Sequence, residues 1–208
     1  NKDGKMDFLS ASRDGIKWWR NGGSGQFSGN SIGSLEGSWS AFGADVDGDG
    51  DIDVAGASPH PDEQKMLLWL GAAFGTPKDL PLLEAEDVCA ADLDGDGIME
   101  IIGVSWAENL PDPGTDLVYY KDYLTGPGTP VVIDPNLSGA HSVVAADFDK
   151  DGDIDLVASG DGRINAYRND GGASFAAPKQ LSGNGALCVN AYDVDGDGDL
   201  DLVSQERN

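Results

Sequence analysis

This sequence is poor in positive charge, in cysteine and in long apolar runs. Only 13 lysines and arginines stand against 37 aspartates and glutamates, for a net charge of −24. That balance argues against nucleic acid and against anionic membrane surfaces as partners. No apolar stretch approaches the ~20 residues that a membrane-crossing helix needs. The longest, MLLWLGAAF and SVVAADF, are strand-sized. No 3.6-residue periodicity is present either, so no segment reads as a helix. Catalytic constellations are missing as well: His60 and His141 have no Ser or Cys partner, and neither a phosphate loop nor zinc spacing occurs. The chain is therefore not expected to be an enzyme.

What is present is repetition. Four lines stack: ADVDGDGDIDVAGAS from 44, ADLDGDGIMEIIGVS from 91, ADFDKDGDIDLVASG from 146 and YDVDGDGDLDLVSQE from 192. A fifth, NKDGKMDFLSAS, opens the chain with its first acidic position cut off, so the sequence reads as a piece of a longer polypeptide. The last acids of these loops, Asp7, Asp53, Glu100, Asp155 and Asp201, lie 46, 47, 55 and 46 residues apart. The loops hold two, five, four, five and five acids, 21 of the 37. The acidity belongs to a motif, and it points to a cation.

Each unit continues in the same way. Small apolar residues lead into the loop and a β-branched run leaves it. A strand follows with an aromatic in one column: Trp19, Trp69, Tyr120 and Tyr167. A Gly/Pro-rich turn and a weaker strand complete the unit. Four short strands per repeat of about 46 residues match an all-β architecture of blade-sized units. Hydrophobic content of 39% is enough to build a core between them.

Numbered from its first aspartate, the loop reads D-x-D-x-D-G-x-x-D/E. Hard divalent cations take oxygen ligands, and Ca²⁺ accepts 6–8 of them in flexible geometry, whereas Mg²⁺ prefers fewer protein ligands and keeps its waters. Alternate spacing along a tight turn lets three carboxylates converge, and the glycine at position six permits the reversal. An EF-hand is excluded, because it needs a glutamate at position 12 and flanking helices. Here position 12 is Gly56, Gly103, Ala158 or Ser204, and the flanks read as strands.

These loops, in repeats of this length, resemble the FG-GAP/VCBS-type calcium-binding repeats of integrin α-subunit propellers, fungal propeller lectins and many secreted bacterial proteins. The resemblance covers essentially the whole chain. It implies a β-propeller of four-stranded blades, with a calcium loop between the first and second strands of each and this chain a fragment of a larger propeller. The implied segments are a partial blade at 1–37, blades at 38–84, 85–139 and 140–185, and a partial blade at 186–208.

The ligands implied by position, with the seventh acting through its carbonyl, fall into five sets. The first is Asn1, Asp3, Lys5 and Asp7, and the second Asp45, Asp47, Asp49, Asp51 and Asp53. The third is Asp92, Asp94, Asp96, Ile98 and Glu100, with glutamate departing from the usual aspartate. The last two are Asp147, Asp149, Asp151, Asp153 and Asp155, and Asp193, Asp195, Asp197, Asp199 and Asp201. Up to five Ca²⁺ ions, one per loop, would leave a net charge of about −14, and their binding would become folding free energy.

The shared aromatic column reads as packing between blades. Trp18, Trp106 and Tyr119 lie off it and are the ligand-facing candidates. Two segments are longer than the repeat requires, 58–65 and 106–116, both on the face opposite the acidic loops. His141 shares its register with Trp39, Glu86 and Leu187, which marks a variable position. Cys89 and Cys188 sit two units apart at different offsets, too far for the ~7 Å between Cα atoms that a disulfide demands. Calcium of weak to moderate affinity favours the cell exterior. The expectation is an extracellular, calcium-stabilised module that binds a glycan or a protein. The alternative is a non-catalytic architectural domain of a larger secreted enzyme or surface assembly.

Overall fold

The computed structural model describes residues 1–71, 73–106, 116–126 and 128–206. Among them the ordered elements are β-strands alone, arranged as successive antiparallel sheets. The first sheet holds β1 (Phe8–Ser12), β2 (Gly15–Gly23) and β3 (Gln26–Gly33). The second holds β4 (Ser40–Ala44), β5 (Asp53–Ser58), β6 (Lys65–Trp69) and β7 (Lys78–Leu80). The third holds β8 (Ala85–Ala91), β9 (Glu100–Ser105), β10 (Leu117–Lys121) and β11 (Thr129–Asp134). The fourth holds β12 (Ser142–Ala146), β13 (Asp155–Gly160), β14 (Arg163–Tyr167) and β15 (Lys179–Ser182). A hairpin of β16 (Ala186–Tyr192) and β17 (Asp201–Glu206) follows. Strands pair in chain order within every sheet, so each of the four complete acidic loops joins the first and second strands of its own sheet, while the first loop leads into β1.

Apolar residues from consecutive sheets meet in four separate clusters. Ile16, Leu35, Val54 and Trp69 fill the space between the first and second sheets. Met66, Leu68, Ile101 and Tyr120 fill the next. Ile102, Tyr119, Leu156 and Tyr167 fill the third, and Val157, Ile164 and Val189 the fourth. A sheet sandwiched in this way buries both faces, which is why β5, β9 and β13 are buried along their whole length. Alternation then sends Tyr120 to one neighbour and Tyr119 to the other.

The sheets approach closely where glycine stands. A Cβ on Gly33 would lie 2.5 Å from the Trp69 indole, and one on Gly103 would lie 2.6 Å from the Met66 sulfur. The buried phenols find acceptors as well: Tyr123 donates to the Met99 carbonyl of its own unit at 2.6 Å, and Tyr167 donates to Asp134 Oδ2 of the third sheet at 2.8 Å. Cys89 and Cys188 are free thiols, with Cys89 buried.

Candidate functional site

Each acidic loop is bent by its own backbone. The position-one carboxylate accepts the N–H of the position-six glycine in all four complete loops: Asp45 from Gly50 at 2.9 Å, Asp92 from Gly97 at 3.0 Å, and Asp147 from Gly152 and Asp193 from Gly198 at 3.1 Å. Those glycines have φ between 87° and 98°, a left-handed region that a Cβ disfavours. Positions three and five each accept the N–H two residues on, as Asp47 does from Asp49 at 3.1 Å and Asp49 from Asp51 at 2.8 Å. These side-chain turns recur in the other loops, including Asn1 with Asp3 and Asp3 with Lys5 in the first.

The ninth position has a second task that the sequence did not disclose. Asp53 Oδ2 accepts the Val46 N–H at 2.9 Å, and its Oδ1 accepts Gly71 N–H at 2.6 Å. Asp155 likewise accepts Phe148 N–H at 3.3 Å and Asn169 N–H at 2.8 Å. The acid therefore latches the loop to itself and to the turn after the third strand. Glu100 keeps the inner half of the latch, accepting Leu93 N–H at 2.8 Å.

Carboxylate oxygens of Asp45, Asp47 and Asp53 lie within 4.8 Å of one another. The same holds for Asp92, Asp94 and Asp96, for Asp147, Asp149 and Asp155, and for Asp193, Asp195 and Asp197. Like charges at that separation repel by roughly 1 kcal/mol per pair even in water. Burial, with repulsion from Asp94 and Asp96, pushes the Glu100 carboxyl up to about 7. Burial raises Asp53 and Asp155 as well. In the first loop the N–H of Asn21 instead holds Asp7 below the ordinary range.

These residues fit a hard divalent cation. The donors are all oxygen, and Asp45 Oδ1 is buried with no hydrogen-bond partner among the described residues. A cation within the loop would give that oxygen a partner and cancel the repulsion.

The three ligand-facing candidates are not brought together. Tyr119 is 6% exposed and packs in the core between the third and fourth sheets, because both faces of β10 are covered. Trp18 is half-buried, donates from Nε1 to Asp7 Oδ2 at 3.0 Å, and lines a groove of about 700 Å³ between the first and second sheets. Trp106 lines a different cleft, at the opposite end of the strands from the acidic loops. Most of the long 106–116 segment, residues 107–115, lies outside the described residues. The 58–65 segment is described, and its His60 reaches the Trp106 cleft.

The FG-GAP-like repeat profile matches residues 1–56, 92–158 and 147–204. No curated protein sequence matches the chain. Among solved structures, a lectin of Agrocybe aegerita described as recognising non-reducing terminal N-acetylglucosamine is similar with a TM-score of 0.59 at 18% identity, over 98% of this chain and 57% of the lectin. The V. cholerae biofilm matrix protein Bap1 is similar with a TM-score of 0.51 at 21% identity, over 98% of this chain and 32% of Bap1. This chain thus spans little more than half the length of one and a third of the other. The likeness to both is one of fold. With the repeat profile spread over most of its length, and the acidic loop built the same way in each unit, the chain belongs to the FG-GAP-like repeat family.

Proposed function

We propose that this chain is part of a calcium-stabilised β-propeller that works outside the cell as a non-catalytic binding or adhesion module for a glycan or a protein. The observation that carries the reading is the convergence of three carboxylates in each of four loops, one of them with a buried oxygen that lacks a partner. On this reading Ca²⁺ sits in every loop, held in the four complete loops by the carboxylates at positions one, three, five and nine and the carbonyl at position seven, and in the first by Asn1, Asp3, Asp7 and the Lys5 carbonyl. It pins the hairpin at one end of each blade. The blades are 38–84, 85–139 and 140–185, with partial blades at 1–37 and 186–208. Side-by-side sheets with a core between each pair support the propeller geometry.

Two proteins that share the fold carry descriptions of glycan recognition and of a biofilm matrix, and a binding role is proposed here by the same logic. No helix among the described residues is long and apolar enough to cross a membrane.

A glycan array probed with calcium-loaded protein, and again after chelation, tests the proposal. Binding that disappears with EDTA supports a module whose site depends on the ion-held fold. Silence from a folded, calcium-loaded sample replaces the glycan reading with that of a protein-binding or architectural domain.

A further inference from the structure

The ends of the strands remote from the acidic loops carry a second cluster. Trp39, Glu86 and His141 share one register, six residues before the first aspartate of their loops, at the entry to three adjacent first strands. Glu86 is 5% exposed. Its Oε2 lies 3.4 Å from His141 Nδ1, and His141 Nε2 lies 3.6 Å from Asp161 Oδ1. Glu86 Oε1 is buried and has no hydrogen-bond partner among the described residues. Glu86 also lines a cleft of about 400 Å³ whose other walls include Trp39, Trp106, His60 and Glu84.

The walls are fixed in different ways. The Trp106 ring lies 5.4 Å from the His141 ring, and the Trp106 backbone N–H donates to the Glu84 carbonyl at 3.1 Å. His60 packs directly over Gly37, where a Cβ would meet its side chain at 2.6 Å, and its N–H donates to Ser58 Oγ at 3.1 Å. Trp39 is 64% exposed and presents its indole to solvent. Among the described residues, no lysine or arginine lines the cleft.

We propose that this cleft binds a sugar residue bearing a free, protonated amino group. The inference rests on the glycan reading above and narrows it. The volume suits a small ligand. Indole faces suit the apolar C–H face of a pyranose, and they also attract an adjacent cation. A buried carboxylate oxygen without a donor is costly, and an ammonium answers it more strongly than a hydroxyl does. Two glutamates, with no lysine or arginine beside them among the described residues, disfavour sulfated or carboxylated sugars. N-acetylation removes the ammonium and leaves the Glu86 oxygen with a weaker donor.

Tryptophan fluorescence of the calcium-loaded chain is titrated at pH 6 with glucosamine tetramer and with its fully N-acetylated counterpart. The free-amine tetramer is expected to bind at least about tenfold more tightly, the scale of a charge-assisted hydrogen bond. Glu86→Gln keeps the shape and erases that preference, while Trp39→Ala, at an exposed position, weakens both sugars alike. Thermal melts of both variants confirm that they fold. Equal affinity for the two tetramers, or a preference that survives Glu86→Gln, overturns the inference and leaves the glycan reading standing. A wild-type protein that ignores both tetramers but binds other glycans on the array does the same. Silence toward every glycan overturns both.

Discussion

Lys2 reaches across to the next acidic loop and places its Nζ 2.7 Å from Asp51 Oδ1, 49 residues along the chain. Lys150 makes the same contact with Asp199, again 49 residues on. Both lysines occupy position four of their loops, where the other three have Gly48, Gly95 and Gly196, and both take the left-handed backbone of those glycines, with φ of 56° and 63°. Each accepts an unfavourable conformation and gains an opposite charge on the neighbouring loop. Lys150→Gly is expected to melt no lower than Lys150→Ala, because glycine relieves the backbone strain. The margin of the natural protein over Lys150→Ala should shrink in 1 M salt, which screens the pair. Melting curves of the three proteins at two salt concentrations decide it.

Calcium removal should lower the melting temperature. At free calcium one hundred times Kd, each occupied loop adds about 2.7 kcal/mol. A domain of this size shifts by roughly 2–4 °C per kcal/mol. EDTA is therefore expected to reduce Tm by at least about 5 °C, and an unchanged melt would show that the loops do not use an ion for stability.

Position three and position nine should fail differently. Asp47→Ala removes one carboxylate from a cluster and a single turn-closing acceptor, so its cost should be seen in calcium and largely vanish in EDTA. Asp53→Ala also strips the Val46 and Gly71 N–H groups of their acceptor. That loss, on the order of 2 kcal/mol, should persist in EDTA. Urea unfolding with and without calcium separates the two.

Gly33→Ala should destabilise by about 1–3 kcal/mol through overpacking, because its Cβ would lie 2.5 Å from an indole that is itself 1% exposed. Trp69→Phe in the same chain makes room, so the double variant should lose less than the sum of the two single changes. An additive result would mean that the sheets part freely at this point.

The metal-free protein should become less stable as pH rises from about 4.5 to about 7. Glu100 has its folded-state pKa raised from 4.5 to about 7, first by burial, so the folded form binds more protons than the unfolded form in that window. Stability present below pH 4.5 is lost as the group ionises. Saturating calcium should remove the decline, since the ion favours the ionised form. Melts across pH 4–8 with calcium and with EDTA test this, and Glu100→Gln should flatten the metal-free curve.

The sequence made the loops legible because their chemistry is written in side chains at fixed spacing. Asp92, Asp94 and Asp96 converge as the alternate spacing suggested, whereas Asp45 and Asp47 are joined by Asp53 from position nine. Trp69, Tyr120 and Tyr167 are buried as their shared column implied, while Trp19 in the same column is only half-buried. Tyr119 was not legible: in a sheet covered on both faces, alternation no longer separates inside from outside. Glu86 was hidden for another reason. Trp39, Glu86 and His141 look like unrelated residues at a variable position, and only their place at the entry to adjacent strands turns three oddities into one cleft. Three bulky polar or aromatic residues in one register were the available clue. The latch made by Asp53 joins residues 18 apart through a backbone N–H, a donor that every non-proline residue has and that leaves no trace in composition.

If the loops hold an ion as proposed, the hydrogen bonds that bend each of them also bear on how quickly it would come and go. A loop folded by its own N–H donors does not wait for the ion to shape it, so most of the ordering cost is settled before capture. Arrival would then be governed by diffusion and by the pull of converging carboxylates, and differences in affinity among the loops would lie in departure rates. Exchange of one ion for another of similar size would proceed in the intact fold, loop by loop. A luminescent lanthanide would therefore report each loop as a separate clock.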